Sequence, residues 1–431
     1  MNPSLPALNY AYLEDFLVRL LNTPSPTGFA AQAVELTRQT LAEFPQLSLR
    51  VTKKGALLAS FPGEDAQAEP SRALTAHVDT LGGMVRVIKP SGRRELTSIG
   101  GFAWNAVEGE GVSVHTQSGA LVRGSLLPNH ASVHVYNDVK DQKRGPDTME
   151  VRLDARTSSA DETRALGIQV GDFVSFDPRV ELNNGFVRSR HLDDKACSAC
   201  MAAAIQALCA AGLKPARSTC FLFSNFEEVG HGGAEGLPAG LHELVAVDMA
   251  AVGEGQNSDE FSVGICVKDA RGPYHIALTQ KLRTLARDAQ IPYKLDTYPH
   301  YGSDGEAYWY SGGTGQVALI GPGVDMLDPM KNKRIGPDEV FEKFGVTHRI
   351  GNNVGFGHNI GLPLLSGNYG NFAKILIRTI NFSGLETFAG NGNVPGKNHV
   401  KLVSRRPLAN YALALFEMLL LNLSIINISE P

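Results

Sequence analysis

STCFLFSNFEEVGHGG, residues 218–233, sets two glutamates at the end of an apolar run. Its first half is rich in β-branched and aromatic residues, and it is short enough to be a strand buried on both faces. A pair of charges at the tip of a buried strand is expensive unless something positive sits against it. Glu227 and Glu228 therefore raise the question of their counter-charge. Two other apolar runs end in the same way: RALTAHVDT (72–80) finishes on His77 and Asp79, and LVAVDM (244–249) on Asp248. The stretch HLDDKAC (191–197) opens a helix and sets Asp193 and Asp194 at its N-terminus, where carboxylates are favoured.

Working outward, a helix over 193–212, strands over 218–226 and 244–249, and a helix over 275–289 alternate as in a parallel α/β sheet. Upstream, 11–45 reads as helix interrupted by the TPSPTG turn, and LSLRVTKKGALLASFPG as two strands about a Lys-Lys-Gly turn. Between these blocks the texture changes. MVRVIK, GVSVHT, SVHVYN, MEVRLDA and DFVSFDP are short alternating segments separated by Gly, Pro and Asn/Asp turns. They predict an all-β insert of about a hundred residues, barrel-like, interrupting the sheet. The expected organisation is a discontinuous α/β domain (1–85 and 187–325), the insert (86–186), and a Gly- and Asn-rich segment from 326 to 431.

The chain has 431 residues, enough for a core that needs no staple, and 43% hydrophobic with 19% charged residues suits a soluble globular enzyme. A net charge of −4 without Lys/Arg runs gives no case for a nucleic-acid partner. Cys197 and Cys200 form a CSAC that could be a redox or zinc pair, but no second CxxC follows and the surrounding small residues read as a helix. Five cysteines without a pairing pattern fit a reducing, cytoplasmic setting. The apolar stretch 408–429 carries Glu417 and several asparagines, so a docked terminal helix is expected rather than a membrane span.

Ligands gather beyond the carboxyl ends of strands in open parallel sheets. One imidazole and several carboxylates converging there suit zinc, cobalt or manganese, and so many acids call for two ions sharing a carboxylate. AHVDTLGGMV, HLDDKAC, FSNFEEVGHGGAEG and VAVDMA, followed by YGSD and VALIGPGVD, resemble the TET-type dinuclear aminopeptidases, the glutamyl aminopeptidase and "cellulase M" family, over about residues 10–325. GFAWNAVEGEGVSVHT and RHLDDKACSACMAAA resemble a bacterial branch associated with an osmoprotectant dipeptide system. The resemblance implies a zinc-peptidase-like mixed sheet, short peptide substrates, and assembly into a homo-oligomer, a dodecamer in the family. It also implies that His77 and Asp248 bind one ion, Glu228 the other, and Asp193 both. Glu227 would be the general base, with Asp79 orienting His77.

The chain departs from the family after GPGVD. A serine–histidine segment and Glu-Arg-Thr-His should follow, the histidine completing the site beside Glu228, but GPGVDMLDPMKNKRIGPD stands there instead. Asp328, His348 and His358 are the nearest replacements. A metal-poor homologue acting as a binding or structural protein is therefore the alternative. Glycoside hydrolysis could use paired acids but would leave the histidine and bridging aspartate without a role.

Overall fold

A computed structural model describes residues 6–64, 70–183, 185–326, 359–363 and 373–376. The chain begins with helices α1 (Tyr10–Leu21) and α2 (Ala31–Leu41) on either side of the predicted turn. The Asn9 side chain caps α1 by accepting from the Tyr12 N–H, and Leu13, Phe16, Leu17, Leu20 and Leu21 form its buried stripe. Each such side chain contributes about 1.5–3 kcal/mol by leaving water. Hairpin β1 (Ser48–Val51) and β2 (Leu57–Phe61) follows, then β3 (Arg72–His77), buried at every position.

The next six strands leave the sheet and close on themselves. They are β4 (Gly82–Ile88), β5 (Arg94–Ile99), β6 (Gly111–His115), β7 (Leu121–Pro128), β8 (Met149–Leu153) and, after the short helix α3 (Ala160–Ala165), β9 (Phe173–Phe176). The barrel order is β4-β5-β8-β7-β6-β9, around a core that includes Val85, Leu96, Val112, Leu126, Val151 and Val174. Closure leaves no edge strand to be covered, which suits a run of short alternating segments.

The chain returns to the first sheet through β10 (Glu181–Asn183) and β11 (Phe186–Ser189), followed by α4 (Leu192–Ala210), β12 (Thr219–Ser224), β13 (Glu243–Val247) and β14 (Ala250–Val252). Then come β15 (Val263–Lys268), α5 (Ile276–Asp288), β16 (Tyr293–Thr297), α6 (Asp304–Tyr310), β17 (Gln316–Met326) and β18 (Asn359–Pro363). The sheet has twelve strands in the order β1-β2-β12-β3-β13-β17-β18-β11-β10, with β14 and β15 also pairing β17 and β16 pairing β15. Strands β12, β3, β13 and β17 run parallel, β2 and β18 are antiparallel to their neighbours, and β15 is antiparallel to β17 but parallel to β16, so the sheet is mixed.

Cys197 and Cys200 are buried small residues of α4, as the helix reading expected, and all five cysteines are free. With Ala199, Ala202 and Ala203 they let α4 lie close on the sheet and on α1. No described helix is long and apolar enough to cross a membrane. Asp328, His348, His358 and the stretch 408–429 lie outside the described residues.

Candidate active site

Strand register brings the site together. Ser224 of β12 pairs with His77 of β3, so Glu227 and Glu228 emerge just beyond the histidine. Ala246 of β13 pairs with Thr75, which carries Asp248 to the level of His77 on the other side. The first turn of α4 covers this end of the sheet and presents Asp193 and Asp194. His77, Asp193 and Asp248 thereby offer ligand atoms that all lie within 4.8 Å of one another.

The orientation of His77 is fixed from behind. Its Nδ1 lies 2.9 Å from the main-chain oxygen of Asp79, so Nδ1 donates and Nε2 is left as the free acceptor of the neutral ring. Nε2 faces Asp193 Oδ1 at 3.2 Å and Glu227 Oε2 at 3.5 Å. The main-chain N–H of His77 donates to Asp194 Oδ2 (3.1 Å), and the Ser198 hydroxyl donates to its carbonyl (3.0 Å).

Asp79 meets His77 through its main chain and not through its carboxylate. That carboxylate stands 3.7 Å from Nδ1, beyond hydrogen-bond range, and the Asp79 main-chain carbonyl takes the bond instead. The carboxylate turns to the Thr27 hydroxyl (2.6 Å) and to the main-chain N–H groups of Glu227 (3.3 Å) and Glu228 (3.4 Å). It thus braces the turn that carries both glutamates.

That turn is a 3-10 turn over Glu227–Val229, entered through Phe226 at φ 73°. A left-handed aromatic residue is strained by about 1–3 kcal/mol and must be held by its surroundings. Phe226 stacks on His231 with ring centroids 5.3 Å apart, and Lys54 lies over its face while donating to the His231 carbonyl. Glu228 Oε1 accepts the Leu81 N–H at 3.1 Å, and Glu228 stands outside the group formed by His77, Asp193 and Asp248.

Beneath the site lies a buried carboxylate that the sequence pattern does not single out. Asp304 opens α6 and accepts from the Thr75 hydroxyl (2.9 Å), the Ser224 hydroxyl and the Gly233 N–H (2.6 Å). It links β3, β12 and the loop after Glu228 beneath the site. Its motif, YGSD, reads as an ordinary helix start, because the three donors arrive from distant parts of the chain.

The electrostatics call for cations. Burial pushes the carboxyls of Glu227, Glu228, Asp194 and Asp248 well above their ordinary range, and neighbouring carboxylates push the same way. Burial opposes a charged His77, but Glu227, Asp193, Asp194 and Asp79 outweigh it and hold the imidazole well above its usual value. Carboxyls gathered in this way either keep protons or face positive charge. Imidazole and carboxylate oxygen donors fit a divalent ion of the zinc, cobalt or manganese kind.

Comparison with known proteins agrees with this architecture. The profile of the M42 glutamyl aminopeptidase family matches residues 55–328. The Bacillus subtilis protein named "Putative aminopeptidase YhfE" is 46% identical over 312 residues, covering 72% of this chain and 89% of that one. Among solved structures, a TET aminopeptidase from a marine-sediment Thaumarchaeota archaeon superposes with a TM-score of 0.65 at 18% identity, covering 73% of this chain and 89% of that one. The Pyrococcus horikoshii TET1 peptidase gives a TM-score of 0.62 at 20% identity, covering 73% and 91%. At these identities the structures speak for the fold, and the family profile and the Bacillus relative for descent. The chain belongs to the M42 glutamyl aminopeptidase family and is a peptide hydrolase of the aminopeptidase type.

Proposed function

We propose that the protein removes N-terminal residues from short peptides, using two divalent ions and Glu227 as general base. The observation that carries this reading is the approach of His77, Asp193 and Asp248 within 4.8 Å, with Glu227 Oε2 3.5 Å from His77 Nε2. His77 and Asp248 would hold one ion, Glu228 the other, and Asp193 both. When bound, such ions would acidify a water and polarise the scissile carbonyl.

The remaining work falls to the side chains. Glu227 Oε2 takes a proton from the attacking water and returns it to the departing amine. Asp79 holds the Glu227 and Glu228 main chain so that this oxygen stays beside His77. Asp193, Glu228 and Asp248 supply negative charge that suits the free ammonium of a peptide's first residue, so a chain end is selected over a chain interior.

Zinc is the first choice of metal, with cobalt or manganese next. The Pyrococcus horikoshii TET1 peptidase forms a dodecamer and can assemble into a tetrahedron or a large octahedral shell. By analogy we infer that this chain also forms a homo-oligomer, within the cytoplasm.

The test joins metal analysis to turnover. Purified protein should bind up to two divalent ions per chain and cleave leucine aminomethylcoumarin, but not its N-acetylated form. Light scattering should give a mass well above the 46.3 kDa of one chain. Protein that binds no divalent ion and turns over neither substrate would favour the binding-protein alternative.

A further inference from the structure

Next to the catalytic turn lies a pocket of about 180 Å³ that the reaction described above does not use. Asp269, Arg271 and Tyr274 line it from the loop after β15, and Glu306, Trp309 and Tyr310 from α6. Two features place it beside the active site. A Cβ on Gly230, which closes the turn of Glu227 and Glu228, would lie 3.8 Å from Arg271 Nη2. The Tyr274 hydroxyl lies 2.8 Å from that of Ser303, the residue that caps α6 directly before Asp304.

The floor is acidic. Glu306 is 4% exposed, and among the described residues no donor reaches its Oε1. Asp269 is well supplied, with the N–H groups of Arg271 (3.0 Å) and Gly272 (3.2 Å) and the Tyr274 hydroxyl all donating to it. Asp269 thus has its hydrogen-bond partners within the protein. Burial, reinforced by Asp269, pushes the Glu306 carboxyl up to about 8, so its charge waits for a partner.

The walls are aromatic. Tyr274 and Trp309 stack with centroids 6.2 Å apart, and the Arg271 guanidinium rests over the Tyr310 ring at 5.4 Å. Arg271 Nε comes only within 3.5 Å of Glu306 Oε2, and its side chain is half exposed. Acid floor, aromatic walls and a loosely seated guanidinium together describe a cation site whose occupant is the protein's own arginine. An anionic ligand would have to rely on Arg271 alone against two carboxyl groups.

We propose that this pocket binds the cationic tip of a lysine or arginine side chain of the peptide substrate, displacing Arg271 from Glu306. That the ligand is a substrate rests on the aminopeptidase reading; the affinity for a cation does not.

The chain has two tryptophans, so replacing Trp104 by Phe leaves Trp309 as a reporter within the pocket. In that background n-butylguanidinium should give a saturable change in fluorescence, and butyrate none. Arg271→Ala should tighten n-butylguanidinium binding, and Glu306→Gln should weaken it by about tenfold, the loss of one charge-assisted contact. Tyr310→Leu, at a side chain 72% exposed and so without risk to the fold, should weaken it too. In turnover, the ratio of kcat/KM for lysine over leucine aminomethylcoumarin should fall by about tenfold in Glu306→Gln. Butyrate binding that disappears in Arg271→Ala would overturn the proposal, as would no saturable response to n-butylguanidinium in any variant. Cation binding without hydrolysis of any substrate would refute the aminopeptidase reading and leave the cation site standing. Hydrolysis of neutral substrates without cation binding would do the reverse.

Discussion

Replacing Gly233 by alanine tests how tightly the turn of Glu227 and Glu228, the proposed catalytic turn, is held. A Cβ at this position would stand 2.3 Å from the main-chain oxygen of Asp304, where 3.0 Å is the practical minimum, so something must move by at least 0.7 Å. Asp304 cannot readily yield, because it starts α6 and its carboxylate is anchored to Thr75 and Ser224. The loop must therefore give way. It is coupled to Glu227 by the bonds Gly230 N–H to Glu227 carbonyl (2.6 Å) and His231 N–H to Phe226 carbonyl (3.1 Å). A misplacement of about 1 Å at a catalytic group costs roughly 100-fold in rate, so a 0.7 Å displacement that is partly absorbed should cost about 10- to 50-fold. That corresponds to about 1.4–2.3 kcal/mol of lost transition-state stabilisation. Overpacking should also lower stability by about 1–3 kcal/mol. The assay is kcat/KM on leucine aminomethylcoumarin with added metal, together with thermal unfolding followed by circular dichroism. Gly240→Ala is the control, since a Cβ there meets nothing within 4 Å. If Gly233→Ala kept kcat/KM within about threefold of the parent at an unchanged Tm, the turn would not be positioned by its contact with Asp304.

Glu227→Gln should keep metal content and fold while lowering kcat by about 100-fold or more, because a proton acceptor is lost without a ligand; near-parental turnover would reject the base assignment. Asp79→Asn leaves one acceptor oxygen where Thr27, Glu227 and Glu228 now share a carboxylate, and should lower activity by about 10- to 100-fold with His77 still oriented by the main-chain carbonyl. An equal loss of histidine orientation, read from the imidazole NMR resonances, would return the role to the carboxylate. Glu227 and Glu228 hold their protons more tightly in the fold than their ordinary value of 4.5, so metal-free protein should lose stability as pH rises above about 4.5, and raised His77 acts in the same direction. Chelator-treated protein should accordingly melt lower at about pH 8 than at about pH 5, with added zinc restoring more at the higher pH; a rise in Tm with pH would contradict the buried, uncompensated acids.

The residues legible in the sequence share one property: a charge at the end of a strand that is otherwise apolar is costly, and the cost shows in the local pattern. His77, Glu227, Glu228 and Asp248 each stand out against their own ten residues, and the parallel order of β12, β3 and β13 turns three such patterns into one site. The α/β alternation and the change to short β segments were legible for the same reason, since period and turn chemistry are local, although SVHVYN (132–137) alternates and yet forms turns between β7 and β8. Asp304 was not legible because its importance lies in donors 229, 80 and 71 residues away, and nothing near YGSD distinguishes it from a helix start. Lys54 is hidden in the same way, since a Lys-Lys-Gly turn reveals nothing of the His231 carbonyl 177 residues on. Nor does any local pattern reveal that Asp79 gives its main-chain oxygen to His77 and its carboxylate to the glutamate turn, because any residue offers a main-chain oxygen and the carboxylate's partners Thr27 and Glu227 lie 52 and 148 residues away. The strand ends thus set where the proposed reacting groups stand, and long-range contacts through Asp79, Asp304 and Lys54 set how they point. Changes in the second group should therefore alter rate while leaving the fold and the ligand set recognisable.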